Sequence, residues 1–208
     1  MAASVEFQQP INFRRAGAAV VTAALLFFAA ASPAFADAAA GEKKAQVCLA
    51  CHGPQGKSTN PMYPVLAGQP AQAVVTQLFQ FREGKRKNDQ MSPFAANLTN
   101  ADLNDLGAYF SAQPPPPPLR KSDPAKIAAG QQLTKQFNCT ACHGANLQGQ
   151  QQMPRLAGQH LDYLRTQLTA FRAATRSDMD GNMTSAASGL TPQDIDIITD
   201  YLSGLGSP

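Results

Sequence analysis

Apolar residues follow a helical repeat in two stretches of the chain, and the second stretch copies the first. Both place them at i, i+3, i+7 and i+10, which is one face of an α-helix: Ala71, Val74, Leu78 and Phe81, then Leu161, Leu164, Leu168 and Phe171. A later pair of stretches carries a second such face: Leu103, Leu106 and Phe110, then Ile195, Ile198 and Leu202. No period-two alternation extends over a useful length, so the predicted fold class is all-α.

The start of the later helix is marked in the same way in both copies. A threonine followed three residues later by an aspartate resembles a capping box: Thr99 with Asp102, and Thr191 with Asp194. A short helix is also expected to lead into each cysteine pair, from about Gly41 and about Gly130. Long loops should connect the cysteine pairs to the later helices.

The two copies extend beyond these helices. Residues 48–53 recur as residues 139–144, and residues 64–69 recur as residues 154–159. Between the copies stand five consecutive prolines, which favour extended polyproline II and form a semi-rigid spacer. We therefore predict two tandem helical domains.

The predicted boundaries follow from this repeat. An N-terminal domain spans residues 37–113, a Pro-rich linker spans 114–124, and a C-terminal domain spans 125–208. Residues 1–36 precede the first domain and have the features of a secretory signal peptide.

The leader has a basic start, an apolar middle and a small-x-small site. Arg14 and Arg15 precede an apolar stretch over 16–31, and residues 34–36 are Ala-Phe-Ala. That stretch is short for a bilayer span, which needs about 20 residues. Cleavage after Ala36 is therefore favoured over retention as an anchor, and the mature protein is expected outside the cytoplasm.

Composition excludes several classes of protein. The 208 residues are 44% hydrophobic and 15% charged, so the chain is neither a disordered polyampholyte nor a membrane bundle. The net charge of +3 is not concentrated, and no nucleic-acid partner is predicted. The short basic run 85–87 is interpreted as a solvated loop, and His160 as a surface or helix-start residue.

Each copy contains Cys-x-x-Cys-His, the attachment motif of a c-type haem. The two sulfurs form thioethers with the haem vinyl groups, and the following histidine ligates the iron. The motif therefore predicts two covalently bound haem c groups, one on Cys48 and Cys51 with His52, the other on Cys139 and Cys142 with His143.

Other uses of these cysteines fit the sequence less well. A thioredoxin-like redox pair needs a strand context that this chain lacks, and the two pairs lie too far apart for the usual four-sulfur zinc site. Disulfides are favoured after export, but neither zinc nor a disulfide explains a histidine after both pairs.

A methionine is the expected second axial ligand for electron transfer. Met91 and Met183 align in the repeat, each seven residues before a Leu-Thr pair, and are the predicted ligands. Met62 and Met153 lie close to their cysteine motifs and are expected to line a loop. Met179 is the rival of Met183 in the second copy.

Further residues are expected around each haem. Leu66, Leu78 and Phe81, with Leu156, Leu168 and Phe171, should line the apolar slots. Arg82 and Arg172 repeat and suit haem propionates, although exposure on a helix surface explains them equally well.

Together these motifs resemble the dihaem cytochrome c4 family. The Leu-Ala-Gly-Gln motif, the Gln-Leu-x-x-Phe-Arg helix and the stretch from Gly84 through Met91 carry the similarity, over essentially the whole mature chain. The resemblance implies two packed cytochrome c folds with His–Met haems, carrying single electrons in the periplasm. Implied partners are a membrane oxidase or reductase complex, or a periplasmic dehydrogenase, with peripheral membrane association left open.

Two alternatives to a free electron carrier remain. One is an electron-transfer subunit bound to a periplasmic dehydrogenase, and the other is a dihaem enzyme such as a peroxidase. An aligned methionine in each copy and the small number of histidines favour the carrier. Acidic Asp178 and Asp180, where the first copy has basic neighbours, predict the lower potential for the second haem.

Overall fold

The computed structural model describes residues 36–206, and its first half is built from four helices. These are α1 (Ala38–His52), α2 (Ala71–Arg82), α3 (Met91–Ala95) and α4 (Asn100–Ala112), with a 3-10 turn at Pro54–Gly56 after α1. The second half adds α5 (Pro124–Gln136), α6 (Cys139–His143), α7 (Leu161–Arg172), α8 (Asn182–Ser188) and α9 (Pro192–Ser203). Residues 36–206 contain no β-strand, which confirms the all-α prediction.

The helices predicted from periodicity are present, and both predicted capping boxes form. Thr99 accepts a hydrogen bond from Asp102 N while the Asp102 carboxylate accepts one from Thr99 N, and Thr191 and Asp194 repeat this at α9. The leading helices begin earlier than expected, because Asp37 and Asp123 cap them with their side chains.

Each half packs as a separate helical lobe with its own core. In the first lobe α4 packs against α1 and α2, and in the second lobe α9 packs against α5 and α7. The first core contains Val74, Leu106 and Phe110, and the second contains Leu168 and Ile198 among others. The predicted apolar faces therefore point inward.

A glycine lies at each crossing of the first and last helix of a lobe. A Cβ atom added at Gly41 would lie 2.0 Å from the Asp105 carbonyl oxygen and 2.8 Å from Tyr109 Cβ. At Gly130 it would lie 2.3 Å from Tyr201 Cβ. Only glycine allows these backbones to approach so closely.

The same two helices are also joined at the start of each lobe. Asp37 N donates to Asp105 Oδ1 at 2.8 Å, and Asp123 N donates to Asp200 Oδ2 at 2.8 Å. Asp105 and Asp200 occupy different turns of their helices relative to Tyr109 and Tyr201. The two lobes therefore make the same backbone-to-carboxylate hydrogen bond with aspartates that the repeat does not align.

The segment between Ala112 and Pro124 packs on both lobes. Pro115 lies against Gly68 of the first lobe, where an added Cβ would be 2.8 Å from the proline ring. Arg120 donates to Asp200 Oδ1 at 2.7 Å and to Ser203 Oγ at 2.7 Å in the second lobe. The two lobes and this linker form one compact unit.

No helix among residues 36–206 is long and apolar enough to cross a membrane. The predicted signal peptide lies outside the described residues, except for Ala36 at its predicted cleavage site.

Candidate haem sites

None of the four motif cysteines forms a disulfide within residues 36–206, and each pair has one inner and one outer member. Cys48 and Cys139 are half-buried and pack against the core of their lobes, whereas Cys51 and Cys142 are exposed. Burial raises the pKa of the Cys48 and Cys139 thiols above the ordinary value. A redox-active Cys-x-x-Cys pair has a lowered thiol pKa, so this chemistry does not fit a thioredoxin-like site.

His52 ends α1 in a buried position, with 4% of its surface exposed. Its Nδ1 lies 2.9 Å from the Pro64 carbonyl oxygen. Because a carbonyl only accepts, Nδ1 carries the proton and Nε2 carries the lone pair. Burial lowers the pKa of His52, although the bond to Pro64 opposes the shift, so the ring is neutral near pH 7.

The Nε2 atom of His52 is the observation that bears most directly on a cofactor. It is buried and has no hydrogen-bond partner within residues 36–206. Histidines that ligate metals usually donate the other ring N–H to a carbonyl or carboxylate, as His52 does to Pro64. The residues present therefore fit a haem iron at this position.

His143 has the same environment in the second lobe. It is 6% exposed, and its Nδ1 donates to the Pro154 carbonyl oxygen at 2.8 Å. Burial lowers the pKa of His143 as well, against the opposing effect of the Pro154 bond. Both rings are therefore fixed in the tautomer that leaves Nε2 able to ligate.

The loop carrying each proline is attached to the turn that follows the motif. In the first lobe, Leu66 N and Ala67 N donate to the Gly56 carbonyl at 2.8 and 3.1 Å. In the second lobe, Leu156 N and Ala157 N donate to the Leu147 carbonyl at 2.9 and 3.0 Å. These bonds position the carbonyl that orients each histidine.

The methionines differ strongly in exposure. Met91 starts α3 and Met183 lies in α8, and both are half-buried; Met183 also packs against the second core. Met62 and Met179 are 70% and 57% exposed. The short helices α3 and α8 replace part of the loops that the sequence predicted. The four axial-ligand assignments stay predictions.

Arg82 and Arg172 both stabilise the segment that follows these methionines. Arg82 Nη1 donates to the Leu98 carbonyl at 2.9 Å, and Arg172 Nε donates to the Leu190 carbonyl. Each leucine immediately precedes the threonine that caps the last helix. Arg82 is half-buried and Arg172 is exposed, and pairing of either with a haem propionate stays a prediction.

A second arginine pair lies where the lobes meet. Arg86 donates to Gln77 Oε1 at 2.6 Å, to Gln167 Oε1 at 2.9 Å and to Tyr163 Oη at 3.1 Å. Arg176 donates to Gln167 Oε1, and to Gln77 Oε1 at 3.0 Å. The two guanidiniums thus share uncharged acceptors from both lobes.

Arg176 and Tyr163 at this interface have lowered pKa values. Burial and the neighbouring Arg86 lower the pKa of Arg176 to about 10, and Arg176 Nε is buried without a hydrogen-bond partner in residues 36–206. Burial opposes ionisation of Tyr163, but the two guanidiniums outweigh it and lower its pKa. A carboxylate would complement this cationic cluster.

Two interpretations from sequence are only partly right at this interface. The basic run does lie in a loop and His160 does start a helix, as the N-cap of α7, but neither Arg86 nor His160 is a solvated surface residue. Arg86 is half-buried rather than solvated, although Lys85 and Lys87 beside it are exposed. His160 is 8% exposed, and its Nε2 donates to the Ser58 carbonyl of the other lobe at 3.0 Å. Contacts between lobes leave no local pattern in a sequence, which explains both errors.

Sequence reasoning also missed Gln69 and Gln159 as functional residues. Both are buried and hydrogen-bond across the interface to the loops that carry Pro64 and Pro154. The feature of the sequence that could have identified them is that each glutamine follows Leu-Ala-Gly in its copy of the repeat.

Two family models match the chain in tandem. The model described as "Cytochrome C oxidase, cbb3-type, subunit III" matches residues 36–110, and the "Cytochrome c" model matches residues 127–206. The matches fall on the first and second lobes respectively.

Relatives and solved structures match over most of the chain. Cytochrome c4 of Thiocapsa roseopersicina is 43% identical over 188 residues, covering 85% of this chain and 96% of the relative. The thiosulfate dehydrogenase electron acceptor of Thiomonas intermedia is 34% identical, covering 89% and 88%. The crystal structure of reduced recombinant cytochrome c4 from Pseudomonas stutzeri has a TM-score of 0.75 at 34% identity, covering 81% of this chain and 98% of that one.

Proposed function

The chain belongs to the dihaem cytochrome c4 family, and we propose that it passes single electrons between redox proteins of the periplasm. It is a c-type electron carrier with two covalently bound haem c groups, not an enzyme. The periplasmic location is part of the proposal and rests on the predicted signal peptide. The proposed electron acceptor is a membrane complex such as a terminal oxidase.

The proposed attachment and ligand residues are those of the sequence prediction. Covalent attachment falls to Cys48, Cys51, Cys139 and Cys142, and axial ligation to His52, Met91, His143 and Met183. The buried, neutral and unpartnered Nε2 of His52 is the observation that carries this assignment. When bound, haem supplies reversible one-electron transfer between Fe(II) and Fe(III).

The protein's own residues hold and orient these groups. The Pro64 and Pro154 carbonyls fix the histidine rings, and Arg82 and Arg172 hold the segments after the methionines. We add Arg86 and Arg176 as proposed propionate partners, because the two guanidiniums lie together on Gln167 and Arg176 Nε is buried with no hydrogen-bond partner within residues 36–206.

Haem attachment is tested by denaturation. The protein should keep a haem-staining band on a denaturing gel, with a mass two haems above the polypeptide, because thioethers are covalent. Cys48→Ser and Cys139→Ser should each weaken the link in one lobe, and losing that haem should unfold the lobe, given its small core. Release of all haem by acid-acetone from the unmodified protein would refute the assignment.

Axial ligation is tested by a redox titration followed by visible absorption. We expect two one-electron waves, with the lower potential in the second lobe, because Asp178 Oδ2 accepts a hydrogen bond from Met183 N at 3.0 Å. Met91→His and Met183→His should each shift one wave. A Met183→His variant that shifts the higher wave would reverse the order, and one that shifts neither wave would favour Met179.

A bound electron-accepting subunit is the second candidate function. It is favoured by the similarity to the thiosulfate dehydrogenase electron acceptor of Thiomonas intermedia over most of both chains. Co-purification with a dehydrogenase, or fast reduction by one, would support this form. Carbon monoxide separates both from a dihaem enzyme: we expect no spectral shift of the reduced protein, whereas an open iron would produce one.

A further inference from the structure

Gln159 pairs its side-chain amide with one backbone residue of the opposite lobe. Its Oε1 accepts from Val65 N at 2.9 Å, and its Nε2 donates to the Val65 carbonyl at 3.0 Å. Because a backbone N–H only donates and a carbonyl only accepts, this pairing fixes which way the amide points. Gln159 and Val65 are both buried.

Gln69 makes the reciprocal pair from the first lobe to the second. Its Oε1 accepts from Arg155 N at 2.9 Å, and its Nε2 donates to the Arg155 carbonyl at 3.1 Å. The two glutamines end the repeated Leu-Ala-Gly-Gln motifs. The interface therefore contains two crossed amide pairs that follow the internal repeat.

Each amide pair touches the same peptide group that orients a histidine. The Pro64 carbonyl accepts from His52 Nδ1, and the N–H of that peptide belongs to Val65, which donates to Gln159. In the second lobe, the Pro154 carbonyl accepts from His143 Nδ1, and the N–H of that peptide belongs to Arg155, which donates to Gln69. A single peptide thus links each histidine to a glutamine of the other lobe.

From this geometry, and resting on the proposed ligation of iron by His52 and His143, we propose that Gln159 and Gln69 are positioning residues that tune the haem of the opposite lobe. Gln159 acts on the haem ligated by His52, and Gln69 acts on the haem ligated by His143.

The physical basis is polarisation along a chain of hydrogen bonds. A peptide whose N–H donates to an amide oxygen has a more negative carbonyl, and that carbonyl accepts more strongly from the histidine Nδ1–H. A stronger bond at Nδ1 makes Nε2 more basic and stabilises Fe(III) relative to Fe(II). Each glutamine therefore lowers the potential of the haem in the other lobe.

The linker leaves little room for water beside the two glutamines. Pro115 and Pro116 line a small cavity together with Gln69 and Gln159, and its volume of about 10 Å³ is no more than one water molecule needs. Bulk water is therefore a poor substitute for a lost amide, so removing a glutamine should weaken the bond at the histidine rather than exchange one acceptor for another.

The test compares Gln159→Leu and Gln69→Leu in the haem-loaded protein. In Gln159→Leu, the Nδ1–H resonance of His52 in the reduced protein should move upfield while that of His143 stays. At a fixed ambient potential, the ratio of reduced to oxidised haem in the first lobe should rise about two- to threefold. Gln69→Leu should show the mirror result, on His143 and the second lobe.

His160→Leu is the matched control. It removes a 3.0 Å hydrogen bond between the lobes, from His160 Nε2 to the Ser58 carbonyl, but leaves both glutamine pairs in place. It should move neither ring resonance. Should a leucine variant fail to fold, Gln159→Asn and Gln69→Asn keep an amide that is too short to reach and should give the same crossed shifts.

The pattern of shifts decides the outcome. Changes in the same lobe as the substitution, equal changes in both lobes, or no change would overturn the crossed tuning. A wild-type protein without the resonances of two iron-bound imidazoles would instead overturn the ligand assignment, and the tuning with it. Two normal iron-bound imidazoles with no crossed response would overturn the tuning alone.

Discussion

The two lobes arrive at the same histidine geometry from different leading helices. In the first lobe, α1 continues without a break through the cysteine motif to His52. In the second, α5 ends at Gln136, and a separate helix α6 begins at Cys139. Asn138, with φ of 54°, turns the chain between them in the left-handed region.

The break accommodates a two-residue insertion. Seven positions separate the crossing glycine Gly41 from Cys48, whereas nine separate Gly130 from Cys139. The distances from histidine Nδ1 to the proline carbonyl are nevertheless 2.9 and 2.8 Å. The crossing glycine and the proline loop therefore set the position of the histidine, and the helix between them adapts.

A second difference between the lobes is an exchange of volume in the core. Gly56, with φ of 78°, lies under Phe110 in the first lobe. The corresponding positions in the second lobe hold Leu147, with φ of 57°, and Leu202, both in its core. Gly56 and Phe110 in the first lobe thus occupy the positions that two leucines occupy in the second lobe.

The largest expected effect concerns the feature that the lobes share. Gly41→Ala should destabilise the first lobe by more than about 3 kcal/mol, because the new Cβ would lie 2.0 Å from a backbone oxygen. Gly130→Ala should cost less, since its nearest atom is a side-chain carbon at 2.3 Å. Denaturant unfolding monitored by circular dichroism measures both, and Gly206→Ala, with nothing within 4 Å of the new Cβ, is the control. Equal stability of the Gly41 and Gly206 variants would contradict the close crossing.

The exchange of volume gives the next effect. Gly56→Leu should cost about 3 kcal/mol, because a Cβ there lies 2.9 Å from Phe110 Cδ1 and the residue must adopt a positive φ. Adding Phe110→Leu should restore part of that loss, since the pair then matches Leu147 and Leu202. A double-mutant cycle measures the coupling. Strictly additive costs would show that the two positions do not share a space.

The two-residue insertion before the second cysteine motif is tested at Asn138, which turns the chain between α5 and α6. Asn138→Val should destabilise the second lobe by about 1–2 kcal/mol, because a β-branched residue is strained at a positive φ. Asn138→Gly should be neutral within about 0.5 kcal/mol. Thermal unfolding of the two variants gives the difference. If valine is tolerated as well as glycine, the break between α5 and α6 does not depend on this conformation.

The smallest expected effect is on the stability of the two lobes at acid pH, which should differ between them. Hydrogen bonds from Lys44 and then Thr99 lower the pKa of Asp102 to about 2, from an ordinary 3.8. Because the folded carboxylate binds its proton more weakly than the unfolded one, the stabilisation is complete above about pH 4 and is lost as the pH falls towards 2. Lys44 is a third exposed, so screening by solvent keeps this contribution small.

A lysine variant sharpens this comparison. Lys44→Met should reduce the loss of stability between pH 4 and 2, measured by urea unfolding. In the second lobe, Thr191 alone lowers the pKa of the equivalent Asp194. Asp194→Asn should therefore change the acid profile less than Asp102→Asn, and the reverse ranking would contradict the role of Lys44.

These contrasts also show what sequence could supply. The faces of α2, α4, α7 and α9 and both capping boxes depend on residues a few positions apart, and the sequence predicted them. The short helices α3 and α8 have too few turns to produce a period. The crossed bonds of Gln69 and Gln159 join residues 86 and 94 positions apart, and no local rule relates such partners. The repeat could identify both glutamines as paired, but not what they contact.

The hydrogen bond from Asp37 N to Asp105 has a consequence for protein maturation. Cleavage after Ala36 would make that nitrogen the amino terminus, so a bond from a neutral amide would become an ion pair to a carboxylate that Lys44 also contacts. The equivalent nitrogen of Asp123 remains within the chain. The processed protein would then hold an ion pair at the start of the first lobe that the second lobe has no means to form.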